Sequence, residues 1–263
     1  MNRTKIEYLD YTYNPIAMRC APVSVGCAHC WHLSMAKRLA NNPTIDDDRR
    51  HAYTGGTPLL IDEELQSPIH LKGPARIGCQ LMGDLFHKDV PEEWRGKILT
   101  LARALPQHKF FFLTKRPKEM QITLWAWDMK GDTSGLNCDH LWFGVSIEDQ
   151  KTADERIPIL LQTPSAHRWV SIEPMLGPVD LRQVRYMHGN SLFVGDEGGY
   201  EYTGSKRSMI DWVVLGGLSL PGGKVQAPKK EWVYSIVEQC DEAGVPCFIK
   251  PNAQYPIERK DLP

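Results

Sequence analysis

No stretch of this sequence approaches the ~20 consecutive apolar residues that a membrane-spanning helix needs. The opening segment, MNRTKIEYLDYTYNP, holds no apolar core of a secretion signal. Together these point to a cytoplasmic protein with no membrane partner. An excess of charge is also missing: 31 Lys and Arg stand against 32 Asp and Glu, for a net charge of -1. Whole-chain charge therefore argues neither for nor against a nucleic-acid partner, and any basic surface must be local. The sequence has no low-complexity tract and no repeat beyond an alternation of strand and helix. Zinc-type signatures are thin: there is one C-x2-C pair, no second one, and no His-x-His.

What is present is a long chain with a strong apolar pattern. Its 263 residues, 42% of them hydrophobic, suffice for one substantial core. Six short apolar runs recur: RIGCQLMGD (76–84), KFFFLTKR (109–116), LWFGVSIE (141–148), HRWVSIEP (167–174), IDWVVLGG (210–217) and VPCFIKPN (245–252). Near-continuous apolar runs fit parallel strands covered on both faces. Between them lie helical stretches at 31–42, 91–105, 149–162 and 229–244. The second opens with Pro and two acids, and the last ends at Gly. Alternating strand and helix predicts an α/β fold with a parallel sheet and right-handed crossovers. A complete (β/α) barrel, a partial barrel and an open doubly wound sheet all satisfy that rhythm. Two segments, 43–75 and 183–209, interrupt it and read as insertions within a single domain over 1–263.

Polar residues gather at the C-terminal tips of the apolar runs, where parallel α/β folds carry their sites. They are Gly83 and Asp84, Lys115 and Arg116, Ser146 and Glu148, Ser171 and Glu173, and Gly216 and Gly217. A strand tip is also simply where a chain turns polar. Asp84 then reads as a helix N-cap, and Glu148 and Glu173 as ion-pair partners of Lys115, Arg116 or Lys250.

The most informative stretch is CAPVSVGCAHCWH, from Cys20 to His32. Of seven cysteines, only Cys20, Cys27 and Cys30 have ligand-like spacing, C-x6-C-x2-C; a reducing compartment argues against a disulfide framework. Zinc would take these three with His29 or His32 as a fourth ligand. An iron–sulfur cubane would take the three thiolates and leave one iron open for an exchangeable ligand. S-adenosylmethionine (SAM) is the natural candidate for that position.

Several blocks in order carry a resemblance: TKIEYLDYTYNPIAMRCAPVSVGCAHCWHLSMAKRLA, MGDLFHKDVP, FFFLTKRPKEM, LWFGVSIEDQKTADERIPIL, RWVSIEPMLGPVDL, IDWVVLGG and AGVPCFIK. Together they resemble the phage-type three-cysteine-motif family, a phage domain of unknown function related to radical SAM enzymes. The resemblance implies a partial or complete parallel barrel of radical SAM type with an N-terminal three-Cys loop. It implies a [4Fe-4S] cluster on Cys20, Cys27 and Cys30, SAM, and an external electron donor. SAM contacts would fall to His29, near adenine, to Gly83 and Asp84 at the amino group, and to Lys115 at the carboxylate. Ser146, Ser171, Gly216 and Gly217 would complete the cofactor pocket, with Glu148, Glu173 and Lys115 facing the reacting atoms. This loop has six residues in its first gap, where the usual radical SAM loop has three. Leu218 stands where the family carries Glu.

The implied substrate is a nucleobase substituent in modified phage DNA, entering as a flipped or single-stranded base. Candidate phosphate contacts are Lys37, Arg38, Arg49, Arg50, Arg185, Lys206, Arg207, Lys229 and Lys230, with the Tyr- and Gly-rich 183–209 segment as a stacking element. Two other classes fit parts of the pattern. One is a non-catalytic binding module stapled by a metal. The other is a metal-assisted hydrolase using Asp84, His87, Glu148 and Glu173.

Overall fold

The computed structural model describes residues 1–129, 138–184, 210–220 and 223–263. The fold is mixed α/β with mostly parallel strands. It comprises two compact units, Met1–Trp142 and Phe143–Pro263. Among the described residues no helix is long and apolar enough to cross a membrane.

The first unit contains strands β1 (Asn2–Arg3), β2 (Tyr11–Tyr13), β3 (Ile16–Ala17), β4 (Leu59–Leu60), β5 (Arg76–Cys79) and β6 (Lys109–Thr114). Its helices are α1 (Trp31–Ala40), α2 (Asp47–Thr54), the single turn α3 (Asp62–Leu65), α4 (Glu92–Arg103) and α5 (Pro117–Met129). Its sheet runs β1-β2-β5-β6. The β1 strand is antiparallel to β2, while β2, β5 and β6 are parallel, with Tyr11 opposite Ile77 and Ile77 opposite Phe110. The aromatic run of β6 is why this strand forms a core: Phe110, Phe111 and Phe112 are fully buried, with Ile77, Phe86, Leu99 and Ala102.

The apolar run at 76–84 is longer than its strand, because Gln80 turns the chain. Gln80 has φ 49°, and its buried amide accepts from the Ile16 N–H at 3.1 Å and donates to Ile16 O at 2.9 Å and Met82 O at 2.8 Å. That side chain replaces the ladder that β5 gives up. The 43–75 segment is ordered as α2, β4, α3 and a 3-10 turn at Ser67–His70. Asp46 caps α2 by accepting from the Arg49 N–H at 2.8 Å, and Gly55 closes it at φ 104°. The segment is held by β4 pairing with β3 and by a small core of Ala17, Ala52 and Ile61. The α5 helix was not legible from periodicity: Ile122 and Trp125, within it, are exposed.

The second unit holds most of β7 (Leu141–Ile147), then α6 (Gln150–Leu161), β8 (His167–Ile172), β9 (Trp212–Leu215), β10 (Leu218–Ser219), β11 (Val225–Gln226), α7 (Lys230–Ala243) and β12 (Cys247–Ile249). Its strand order is β7-β8-β9-β12, with β8, β9 and β12 parallel. Every residue of β7 is buried, as its unbroken apolar sequence requires. Trp169 of β8 and Trp212 of β9 sit with ring centroids 5.3 Å apart and anchor this core. The α6 helix starts at a reciprocal Asp149–Thr152 capping box, and α7 ends at Gly244 with φ 65°. Residues 185–209, most of the second interrupting segment, lie outside the described residues, as do Arg185, Lys206 and Arg207.

Candidate functional site

The cysteine loop lies in the first unit, between β3 and α1. Val25–His29 forms a 3-10 turn, and Cys30 is the residue at which α1 begins. Backbone bonds from Cys27 N to Ser24 O (3.1 Å), Cys30 N to Cys27 O (3.2 Å) and Leu33 N to Cys30 O (3.1 Å) wind the loop directly into the helix. Cys27 is buried, and Cys20 and Cys30 are half-buried. His29 is exposed on the last residue of the turn, the position of a solvent-facing loop histidine.

Two cations reach this loop from the C-terminal end of β6. Arg116 is the more engaged: Nη1 donates to Asp84 Oδ2 at 2.9 Å and lies 3.5 Å from Cys20 Sγ, and Nη2 donates to Ala21 O at 2.7 Å. Lys115 Nζ donates to Ser24 Oγ at 3.3 Å, and that hydroxyl lies 3.5 Å from Cys27 Sγ. Asp84 is the hinge of the arrangement and is not a helix cap. Its carboxylate accepts from Thr114 Oγ1 at 2.8 and 2.9 Å, from the Phe86 N–H at 2.9 Å and from the Lys115 N–H at 3.4 Å, besides Arg116. Gly83 next to it has φ 118°, and a Cβ there would stand 2.8 Å from Met18 Cγ, so the close turn needs glycine.

Two buried imidazoles hold the start of the loop. His32 Nε2 accepts from the Cys20 N–H at 3.2 Å, and His87 Nε2 accepts from the Ala21 N–H at 3.4 Å. In His32, accepting at Nε2 puts the proton of the neutral ring on Nδ1, which is buried with no partner. In His87, Nδ1 lies 3.3 Å from the Asp89 backbone N and 3.6 Å from Asp89 Oδ2, contacts that suit opposite tautomers. Both rings are kept neutral. Burial, then the Arg19 charge, brings His32 down to about 4, and burial, then Arg116, lowers His87.

The Cys20 and Cys27 thiols are tuned in opposite directions. Burial pushes Cys20 up to about 11, although the Arg116 charge and hydrogen bond favour its thiolate. For Cys27 burial also acts upward, but the Ser24 hydroxyl, backbone groups of Val23 and Ser24, and the Lys115 charge outweigh it and lower the thiol. Among the described residues no three His, Cys, Asp or Glu side chains converge on a single metal position. In kind and number the three thiols fit an iron–sulfur group, and the two cations offset the charge that thiolate ligation adds.

The remaining sequence candidates lie in the second unit. Glu173 pairs with Lys250, Oε1 to Nζ at 2.6 Å, which is the ion-pair alternative considered for it. Gly216 makes room for that carboxylate: a Cβ there would stand 2.8 Å from Glu173 Cδ. Gly217 is clasped by Asn252, whose side chain accepts from its N–H and donates to its carbonyl, each at 3.0 Å. Ser146 and Ser171 are buried, and Ser146 Oγ donates to Glu173 O at 3.2 Å. Glu148 is 1% exposed; its backbone N–H donates to Thr152 Oγ1 at 2.8 Å and its carbonyl accepts from Leu176 N at 2.7 Å. Glu173, Lys250, Gly216, Gly217 and Asn252 thus assemble at the C-terminal ends of β8, β9 and β12. Leu218, the residue at the family's Glu position, is buried in β10.

Arg116 and Asn252 are the contributors that sequence reasoning left without a role at the site. The Lys-Arg pair ending β6 was a signal for Arg116; nothing in the sequence marks Asn252. Of the proposed phosphate contacts, Arg49 is engaged by Asp46 and Glu63, Arg50 by Asp47, and Lys229 stacks over Trp232 at 5.2 Å.

Comparisons with curated proteins and with solved structures gave no match. A family model described as a protein of unknown function, DUF5131, matches residues 3–260, and with that near-complete span the chain belongs to the DUF5131 family.

Proposed function

We propose that this protein is a radical SAM enzyme that binds a [4Fe-4S] cluster through Cys20, Cys27 and Cys30. The observation that carries the reading is the pair of cations, Lys115 and Arg116, brought from one strand end onto a loop holding three thiols. The strand order supports it. Within each unit the parallel strands advance in sequence order, β2-β5-β6 and β8-β9-β12, as a partial (β/α) barrel requires.

When bound and reduced by an external electron donor, such a cluster would supply the one electron that cleaves the sulfonium of SAM to methionine and a 5′-deoxyadenosyl radical. The chain's own part is to present and tune the thiols. Arg116 holds the Cys20 segment through Ala21 O and favours the Cys20 thiolate. Asp84 holds Arg116 in that pose. Lys115 favours the Cys27 thiolate, directly by its charge and through the Ser24 hydroxyl. The substrate we assign is a nucleobase substituent in DNA, on the strength of the ordered motif resemblance.

The test is anaerobic reconstitution, with iron and sulfide counted, followed by dithionite, SAM and chromatography for 5′-deoxyadenosine. About four irons per chain with deoxyadenosine release is the expected outcome. Zinc in place of iron, or a full cluster that never cleaves SAM, would replace this reading with that of a metal-stapled binding module. Separate Cys20→Ser, Cys27→Ser and Cys30→Ser variants sharpen it: a catalytic cluster loses SAM cleavage with the fold retained, whereas a staple loses the fold.

A further inference from the structure

A second feature of the first unit is a cleft of about 500 Å³ between α1 and α2, lined by both apolar and polar side chains. Its volume falls within the range of small-ligand sites, roughly 300–1,000 Å³. Arg19, Ser34, Lys37, Asn41, Tyr53 and Thr54 supply its polar lining, and no carboxylate lines it.

That charge imbalance is local and unusual in this chain. Carboxylates equal or exceed cations overall, and they neutralise the neighbouring cations of α2, with Arg49 on Asp46 and Glu63 and Arg50 on Asp47. Among the described residues neither Arg19 nor Lys37 makes an ion pair. Arg19 is oriented by one bond, Nη1 to Thr54 O at 3.2 Å, which leaves the rest of its planar fork for a ligand. The Tyr53 phenol is pushed up by burial first, so it stays protonated and can donate. An exposed guanidinium, an ammonium, a serine hydroxyl and a phenol around one cleft, without a carboxylate, match the oxygens of a phosphate.

We infer that this cleft is a phosphate-binding site, in which Arg19 and Lys37 take the phosphate of a nucleotide or of a nucleic-acid strand. Arg19 directly precedes Cys20, so the bound group would sit one residue from the cysteine loop. The inference stands apart from the iron–sulfur reading, and its assay requires no SAM chemistry.

The experiment titrates the full-length protein with three probes: AMP, a fluorescein-labelled 12-nucleotide single-stranded DNA, and succinate as a carboxylate control. Arg19→Gln and Lys37→Gln are each expected to weaken phosphate-probe binding about tenfold. With the DNA probe, each lost contact also lowers the slope of log K against log salt by about 0.7. Arg50→Gln should leave binding unchanged. AMP binding sensitive to both variants identifies a free nucleotide as the source. DNA binding sensitive to both, with no AMP binding, identifies a strand. Wild-type affinity in the Arg19→Gln/Lys37→Gln double variant, no binding of either phosphate probe, or succinate binding as tight as AMP would overturn the inference. Lys37 is exposed on α1, so Lys37→Gln alone decides the matter if Arg19→Gln disturbs the fold.

Discussion

Replacing Arg116 with Met tests the architecture of the cysteine loop most directly. The Arg116 and Asp84 side chains are 10% and 6% exposed, with Nη1 and Oδ2 2.9 Å apart. Breaking a buried ion pair from one side costs about 3–5 kcal/mol, because the surviving charge is left uncompensated. Here Asp84 keeps its bonds from Thr114 Oγ1, the Phe86 N–H and the Lys115 N–H, so the lower end, about 3 kcal/mol, is expected. At a urea m-value of about 1–3 kcal/mol/M that moves the unfolding midpoint down by about 1 M or more. The double variant Arg116→Met/Asp84→Asn removes both charges and should recover much of the loss. A second readout separates positioning from bulk stability. Arg116 favours the Cys20 thiolate, so its removal raises that thiol further above about 11 and slows iodoacetamide alkylation of Cys20 at pH 8.5. An Arg116→Met unfolding free energy within about 0.5 kcal/mol of wild type, the range of a surface substitution, would refute the account. So would a double variant as unstable as the sum of the singles.

Three further outcomes are expected. Gly217→Ala puts a Cβ 2.3 Å from Asn252 O and should cost about 3 kcal/mol, whereas Gly73→Ala meets nothing within 4 Å and should stay within about 1 kcal/mol; thermal midpoints of the two decide. In the native metal-free protein Ellman's reagent should react readily with the half-buried Cys30 and Cys138, slowly with Cys20, whose thiol burial pushes up to about 11, and with the four buried thiols only on unfolding; seven fast thiols would contradict the burial. His32, His87 and His108 are each lowered, mainly by burial, with His32 at about 4. The unfolded chain therefore binds more protons between about pH 6.5 and pH 4, so metal-free stability is complete above that window and is lost as pH falls through it. Urea midpoints at pH 7, 6 and 5 should decline, and His108→Asn should remove part of the decline; a flat profile would count against neutral buried imidazoles.

The sequence revealed the parts of the fold whose signal is local. Unbroken apolar runs gave β6 through β9, and Pro91 with two acids gave the start of α4, because strand burial and helix-end electrostatics are written in adjacent residues. The runs overestimated strand length where a single side chain, Gln80, takes over the backbone's hydrogen bonds from 64 positions away. The α5 helix escaped because its exposed Ile122 and Trp125 blur the amphipathic period.

The candidate site divides along the same line. Three thiols within eleven residues declare themselves, because ligand spacing is a property of one loop. What holds that loop does not. The Arg116 acceptors are a carboxylate and a carbonyl 32 and 95 positions away, and His32 and His87 act by accepting backbone N–H groups that every residue but proline carries. A sequence shows which side chains can donate or accept; it does not show which main-chain groups need them. Lys115 illustrates the difference. Its position at the end of β6 suggested a partner for a carboxylate, and in the folded chain its ammonium reaches Ser24, the residue that contacts Cys27. The strand end is therefore tied to the cysteine loop before any ligand arrives. Substitutions at Lys115 and Arg116 should then alter thiol reactivity in the metal-free chain, an effect that a role limited to ligand binding would not produce.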